Sequence, residues 1–261
     1  MPVAAVLCHG NRGYKDWGFF PLLASRLAEE GIATATFNLS GSGITDREGT
    51  FGEPERFRGN TYGRELEDLA RVVDWIVSRR LARGGADPIG DPPRIGLIGH
   101  SRGGAIAILH AAQDARIRCL TTLAAPSRIG VWPEHYFEAW RRGEPARTHD
   151  FRTRSELPLG PEIYRDLGRN RDRYDVLQAV ERLKCPLLIL QGDRDRSVSI
   201  DEAREIASHA AAASTELHVI EGAGHSFQAG DKIRRTPPQL LDMVERVTAW
   251  MRRWLIGGVG F

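Results

Sequence analysis

The stretch "IGLIGHSRGGAIA", Ile95 to Ala107, joins an apolar run to Gly99, His100, Ser101, Arg102, Gly103 and Gly104 and then passes into an alanine-rich apolar segment. Two readings of Ser101 follow. In one it is a nucleophile on a sharp strand-to-helix turn, where strain and crowding demand small residues at both flanking positions. In the other it is a serine capping a helix beside packing glycines. The G-x-S-x-G spacing alone does not choose, because the chain carries 28 glycines. Its setting favours the nucleophile: a β-rich run ends at Gly99 and an Ala/Ile helix begins beyond Ser101.

Working outward, short apolar runs alternate with segments of helical period. "VAAVLC" (3–8), "IATATFNL" (32–39), "RIGLIG" (94–99), "IRCLTTLAA" (117–125), "PLLILQG" (186–192) and "TELHVIE" (215–221) read as strands. Helices are expected near 18–30, 62–82, 102–113, 175–183, 201–213 and 236–255; the second carries Leu66, Leu69, Val73, Ile76 and Val77 on one stripe. This alternation predicts a single α/β domain over 1–261, a mostly parallel sheet of about six strands flanked by helices. Residues 126–183 break the pattern, being aromatic, Arg-rich and interrupted by Pro and Gly. That length exceeds a plain connection and predicts a lid inserted after the fourth strand.

The 261 residues are 41% hydrophobic and 27% charged, enough for a large core and a polar surface. A net charge of +2, with Arg and acids interspersed, leaves no nucleic-acid footprint. No apolar stretch reaches membrane-spanning length, and "MPVAAVLCHG" reads as a strand rather than a signal peptide. Cys8, Cys119 and Cys185 each lie in or beside a strand without metal-ligand spacing. Reduced, buried thiols in a cytoplasmic protein are expected, with no metal site.

A serine hydroxyl needs a base to take its proton. Eight histidines compete for that role, and His225 is singled out because "EGAGHSF" follows the last strand. Loops at the C-terminal ends of parallel strands are where such sheets place their sites. The acid that orients the imidazole is sought after another strand, and "LLILQGDRDRSVS" offers Asp193 and Asp195. Asp193 directly follows the turn glycine and suits a turn-capping role. Asp195 lies farther out, where its carboxylate can reach across, and is favoured. "LCHGN" sets His9 and Gly10 just past the first strand, a turn whose backbone N–H groups suit a developing oxyanion. The expected donors are the N–H groups of Asn11 and Arg102.

Taken together, H-G after the first strand, "GHSRGG", "GDRDRSV" and "GAGHSF" resemble the α/β-hydrolase superfamily over nearly the whole chain. The resemblance supports Asp195 over Asp193, and Asn11 and Arg102 as oxyanion donors. "FNLSGSG", "ELEDL" and the insertion after the fourth strand are similar to the dienelactone-hydrolase-like and cinnamoyl (feruloyl) esterase-like branch. Members of the superfamily usually begin with a β-hairpin before the H-G strand, whereas here that strand starts at Val3. The second strand is then expected at an exposed sheet edge, open to pairing with a second copy of the chain.

The chemistry so read is that of a serine hydrolase of small or medium carboxylic esters, working without metal or cofactor. Trp132, Tyr136 and Trp140 are expected to roof an apolar or aryl acyl pocket, and packing of the lid onto the body is the alternative for them. Acyl transfer, thioester cleavage and peptide hydrolysis use the same triad, and a non-catalytic hydrolase-like binding protein is a further alternative.

Overall fold

A computed structural model describes residues 3–46, 49–82, 93–150, 153–212, 214–230 and 236–257. In chain order the strands are β1 (Val3–Cys8), β2 (Ala33–Thr36), β3 (Arg94–His100), β4 (Ile117–Leu123), β5 (Ala146–Asp150), β6 (Ser155–Leu159), β7 (Leu187–Gly192) and β8 (Thr215–Ile220). Six of them form one parallel sheet in the order β2-β1-β3-β4-β7-β8. The central strands are apolar on both faces because helices cover both faces of the sheet. Val6 of β1, for example, lies opposite Ala35 on one side and Leu97 on the other, and is fully buried.

One face is covered by α1 (Phe20–Glu29), which buries Phe20, Leu23 and Leu27, together with a C-terminal helix over Pro238–Leu255. The other face carries α3 (Tyr62–Ala82) and α4 (Arg102–Ala111), preceded by the short α2 (Pro54–Arg58). Every residue of α4 is buried, which explains why its sequence is apolar all round instead of striped. The segment expected at 32–39 leaves the sheet after Thr36, because the chain beyond is held by other partners. His9 Nε2 accepts from the Leu39 N–H at 3.0 Å, and Asn38 Oδ1 accepts from the Lys15 N–H at 2.8 Å. The fourth strand stops at Leu123 because Ala124 turns into the left-handed region at φ 50°.

The 126–183 stretch holds more regular structure than its sequence suggests. It comprises α5 (Glu134–Arg141), the antiparallel pair β5–β6, α6 (Pro161–Arg169), a 3₁₀ turn at Arg171–Tyr174 and α7 (Val176–Glu181). Only the last of these was expected. α7 buries Val176, Ala179 and Val180 against α4 and α8 (Ile200–His209), so it belongs to the helical layer of the sheet. A crossover from β4 to its parallel neighbour β7 needs such a covering helix. The C-terminal helix is α9 (Pro238–Leu255), with Pro238 at its first turn, where the missing N–H costs nothing.

Candidate active site

The site forms where the loops after β1, β3, β7 and β8 meet at the C-terminal edge of the sheet. Ser101 stands between β3 and α4 with φ 54° and ψ −130°, a conformation that costs a non-glycine residue on the order of 1–3 kcal/mol. The strain is held on both sides: the Ser101 N–H donates to Leu123 O at 2.8 Å, and Ser101 O accepts from Gly104 N–H at 2.8 Å. The flanking glycines are required by contact. A Cβ on Gly99 would sit 2.4 Å from Gly103 O, and one on Gly103 would sit 2.4 Å from His9 O.

His225, in the loop after β8, brings Nε2 to 3.0 Å from Ser101 Oγ and Nδ1 to 2.8 Å from Asp195 Oδ2. Asp195 comes from the loop after β7, and its side chain is fully buried while that of His225 stays 26% exposed. Its Oδ1 accepts the N–H groups of Ser197 at 2.7 Å and Val198 at 3.0 Å, and Gln191 Nε2 donates to Oδ2 at 3.1 Å. Burial works to raise this carboxyl. The hydrogen bond and charge of His225, with the two amides, outweigh burial and hold it below the usual carboxylate range. Asp193 faces elsewhere, accepting the Gly222 N–H at 2.7 Å and so tying the two loops together.

The turn after β1 packs directly on this elbow: a Cβ added to Gly10 would lie 2.8 Å from Ser101 Cβ. Asn11 and Arg102 line one cleft with Ser101, and among the described residues neither backbone N–H has an acceptor. N–H groups left unused beside a strained serine are of the kind that suits negative charge developing on a carbonyl oxygen.

Two histidines whose part in the site was not read from the sequence support it. His9, 2% exposed, donates from Nδ1 to Gly10 O at 2.9 Å while Nε2 accepts from Leu39. It thereby fixes the turn that carries Asn11, and burial lowers its pKa to about 4. His100 donates from Nε2 to His225 O at 2.9 Å and so anchors the loop of the neighbouring imidazole. Burial, aided by the charge of His225, lowers its pKa to about 3. Their signal lay in the motifs themselves, each histidine adjoining a glycine or serine whose backbone needs holding.

The cleft has a volume of about 460 Å³, within the range of small-molecule sites. Tyr62, Ile129, Val131 and Trp132 supply apolar wall. Of the three aromatics expected in the roof, Trp132 lines the cleft. Tyr136 and Trp140 stand behind it as its packing partners, with ring centroids 5.7 and 5.8 Å from that of Trp132. Trp140 also donates from Nε1 to Leu159 O at 2.8 Å, binding α5 to the β5–β6 hairpin. Their large apolar surfaces stabilise the insertion, whose own sheet is only the two-stranded β5–β6 pair. No group of His, Cys, Asp and Glu able to hold a metal occurs among the described residues.

Similar folds are found among solved structures. Est1E from Butyrivibrio proteoclasticus with ferulic acid bound superposes with a TM-score of 0.67 at 20% identity, covering 97% of this chain and 89% of that one. Dienelactone hydrolase from Anabaena variabilis gives 0.62 at 17% identity, covering 97% and 87%. In sequence, esterase LipC of Mycobacterium tuberculosis is 26% identical over 188 residues, 67% of this chain and 43% of that protein. The chain spans less than half the length of the curated relatives it matches. Residues 5–233 match the model of the alpha/beta hydrolase family, and the chain belongs to that family.

Proposed function

We propose that the protein is a serine hydrolase of carboxylic esters. The observation that carries this reading is the unbroken line from Ser101 Oγ through both nitrogens of His225 to the buried carboxylate of Asp195, with steps of 3.0 and 2.8 Å. Ser101 Oγ attacks the ester carbonyl as His225 Nε2 takes its proton, and Asp195 holds the imidazole in the Nδ1–H tautomer and stabilises its charged form. The carbonyl oxygen, now an anion, receives the N–H groups of Asn11 and Arg102. Collapse expels the alcohol, which takes the proton from His225, and leaves the acyl group on Ser101. Water then gives a proton to His225 Nε2 as it attacks the acyl carbon, and collapse returns that proton to Ser101 Oγ and releases the acid. Neither metal nor organic cofactor enters these steps.

The apolar wall of Tyr62, Ile129 and Trp132 supports apolar or aryl acyl groups of small to medium size. The name of the relative esterase LipC, and an Est1E structure that contains ferulic acid, favour esters over the other acyl derivatives such a triad can cleave. A panel of p-nitrophenyl esters tests the reading, with Ser101→Ala as control. The variant is expected to lose at least about 10³-fold in kcat while remaining folded. A fluorophosphonate probe is expected to label Ser101 and no other serine. Ester turnover that survives the substitution refutes the mechanism.

A further inference from the structure

The side chain of Arg102, a residue that lines the cleft, is buried in the protein. It passes Tyr62, with the guanidinium carbon 5.7 Å from the ring centroid, and ends on Glu65 of α3, where Nη2 donates to Oε1 at 2.6 Å. Asn60 Nδ2 donates to the same oxygen at 2.6 Å. Glu65 is 1% exposed and Arg102 8%, so the two charges face each other out of water. They meet at a single point: Nε and Nη1 of Arg102 and Oε2 of Glu65 have no hydrogen-bond partner among the described residues. Tyr62, which lies against this pair, accepts a hydrogen bond on its hydroxyl from Trp132 Nε1 at 3.2 Å. Arg102, Tyr62 and Trp132 all line the cleft that contains Ser101.

A lone guanidinium in that wall would draw anionic substrates, because a charge flanked by low-dielectric protein is screened far less than one in water. Opposed by a carboxylate at contact distance, its field falls away as that of a dipole. The ion pair has no need to be there for stability, since apolar residues of similar volume generally serve a core as well. We propose that Glu65 determines acyl specificity by cancelling the charge of Arg102, so that the cleft takes esters with an uncharged acyl chain and not those ending in a carboxylate. This rests on the ester-hydrolase reading and adds to it which acyl groups are accepted. "ELEDL", whose first residue is Glu65, thereby gains a role.

The test compares p-nitrophenyl butyrate with mono-p-nitrophenyl succinate, which share a four-carbon acyl group and differ by a terminal carboxylate. Burial outweighs the pull of Arg102 and Asn60 and raises the Glu65 carboxyl, so both substrates are assayed at about pH 8, the side that favours its ionised form. The wild-type protein is expected to prefer the butyrate. Glu65→Gln keeps the shape and should raise kcat/KM for the succinate relative to the butyrate by about tenfold, mainly through KM. That is the attraction of one uncompensated charge roughly 10 Å from the carboxylate at an effective dielectric of about 20. The double variant Glu65→Gln/Arg102→Gln restores neutrality and should return the ratio to the wild-type value.

A role confined to packing would lower turnover of both esters equally and leave their ratio alone. A folded Glu65→Gln protein with an unchanged ratio, or a wild-type protein that favours the succinate, overturns the proposal. Should Glu65→Gln not fold, Arg102→Gln decides: a relative gain on the succinate after removal of the cation also overturns it. A wild-type protein that cleaves neither ester is a different failure, that of the hydrolase reading itself.

Discussion

Replacing Asp195 with Asn alters one atom of the site, and the structure dictates how the new side chain must sit. Oδ1 accepts two backbone amides, from Ser197 and Val198, at 2.7 and 3.0 Å. An amide nitrogen cannot accept these bonds, so the Asn oxygen takes the Oδ1 position and the NH₂ group takes that of Oδ2. There it faces His225 Nδ1 at 2.8 Å and the Gln191 amide at 3.1 Å, both of which are donors to the present carboxylate. His225 can meet an NH₂ only by presenting a bare Nδ1, which moves its proton to Nε2. The ring then points N–H at Ser101 and has no lone pair with which to take the serine proton. The expected loss in kcat is about 10⁴-fold, close to 5.5 kcal/mol of barrier, as for an oriented Ser-His-Asp system forced into the wrong tautomer. KM should change little, because Asp195 is fully buried at its side chain and touches no substrate. Steady-state hydrolysis of p-nitrophenyl butyrate at about pH 8 measures it, with circular dichroism to verify the fold. A variant within about tenfold of wild-type kcat would mean that the carboxylate does not set the tautomer of His225.

Two further outcomes follow from the geometry. Gly10→Ala would put a methyl group 2.8 Å from Ser101 Cβ and 2.9 Å from His100 O, so it should destabilise the protein by about 1–3 kcal/mol and displace the Asn11 amide. Urea unfolding and kcat read the two effects, and an active variant of unchanged stability would contradict the packing of turn on elbow. The second outcome concerns acid stability. His9 and His100 are lowered from 6.5 to about 4 and about 3, so between these values and 6.5 the unfolded chain binds protons that the folded one refuses. Stability is therefore full above about pH 6.5 and falls as pH drops toward 4, with His9 alone contributing about 3 kcal/mol to the loss. Thermal unfolding followed from about pH 7.5 to 4.5 should show a smaller fall for His100→Gln than for wild type; equal slopes would count against a neutral, buried His100.

The insertion was the least readable part of the chain, and its hairpin shows why. β5 is ARTHD and β6 is SELPL, with Arg147 facing Pro158 and His149 facing Glu156 across the pair. Proline and alternating charge argue against a strand. These residues pair because Asp150 closes the turn on Thr153 and because α5 packs on the result through Trp140. Neither cause has a local signature.

Other features needed no tertiary information. Strands buried on both faces are apolar throughout and helices with one face in water are striped, so the alternation of periods betrays a parallel sheet; the loops at its C-terminal edge then nominate Ser101, His225 and Asp195. Where those side chains point, and at what distances, is a matter of folding. So too is the meeting of Glu65 with Arg102, 37 residues apart. Periodicity reports which face of an element avoids water. It carries no information about which polar atom, arriving from another element, will satisfy a group once water is gone, and that pairing is made only when the layers close.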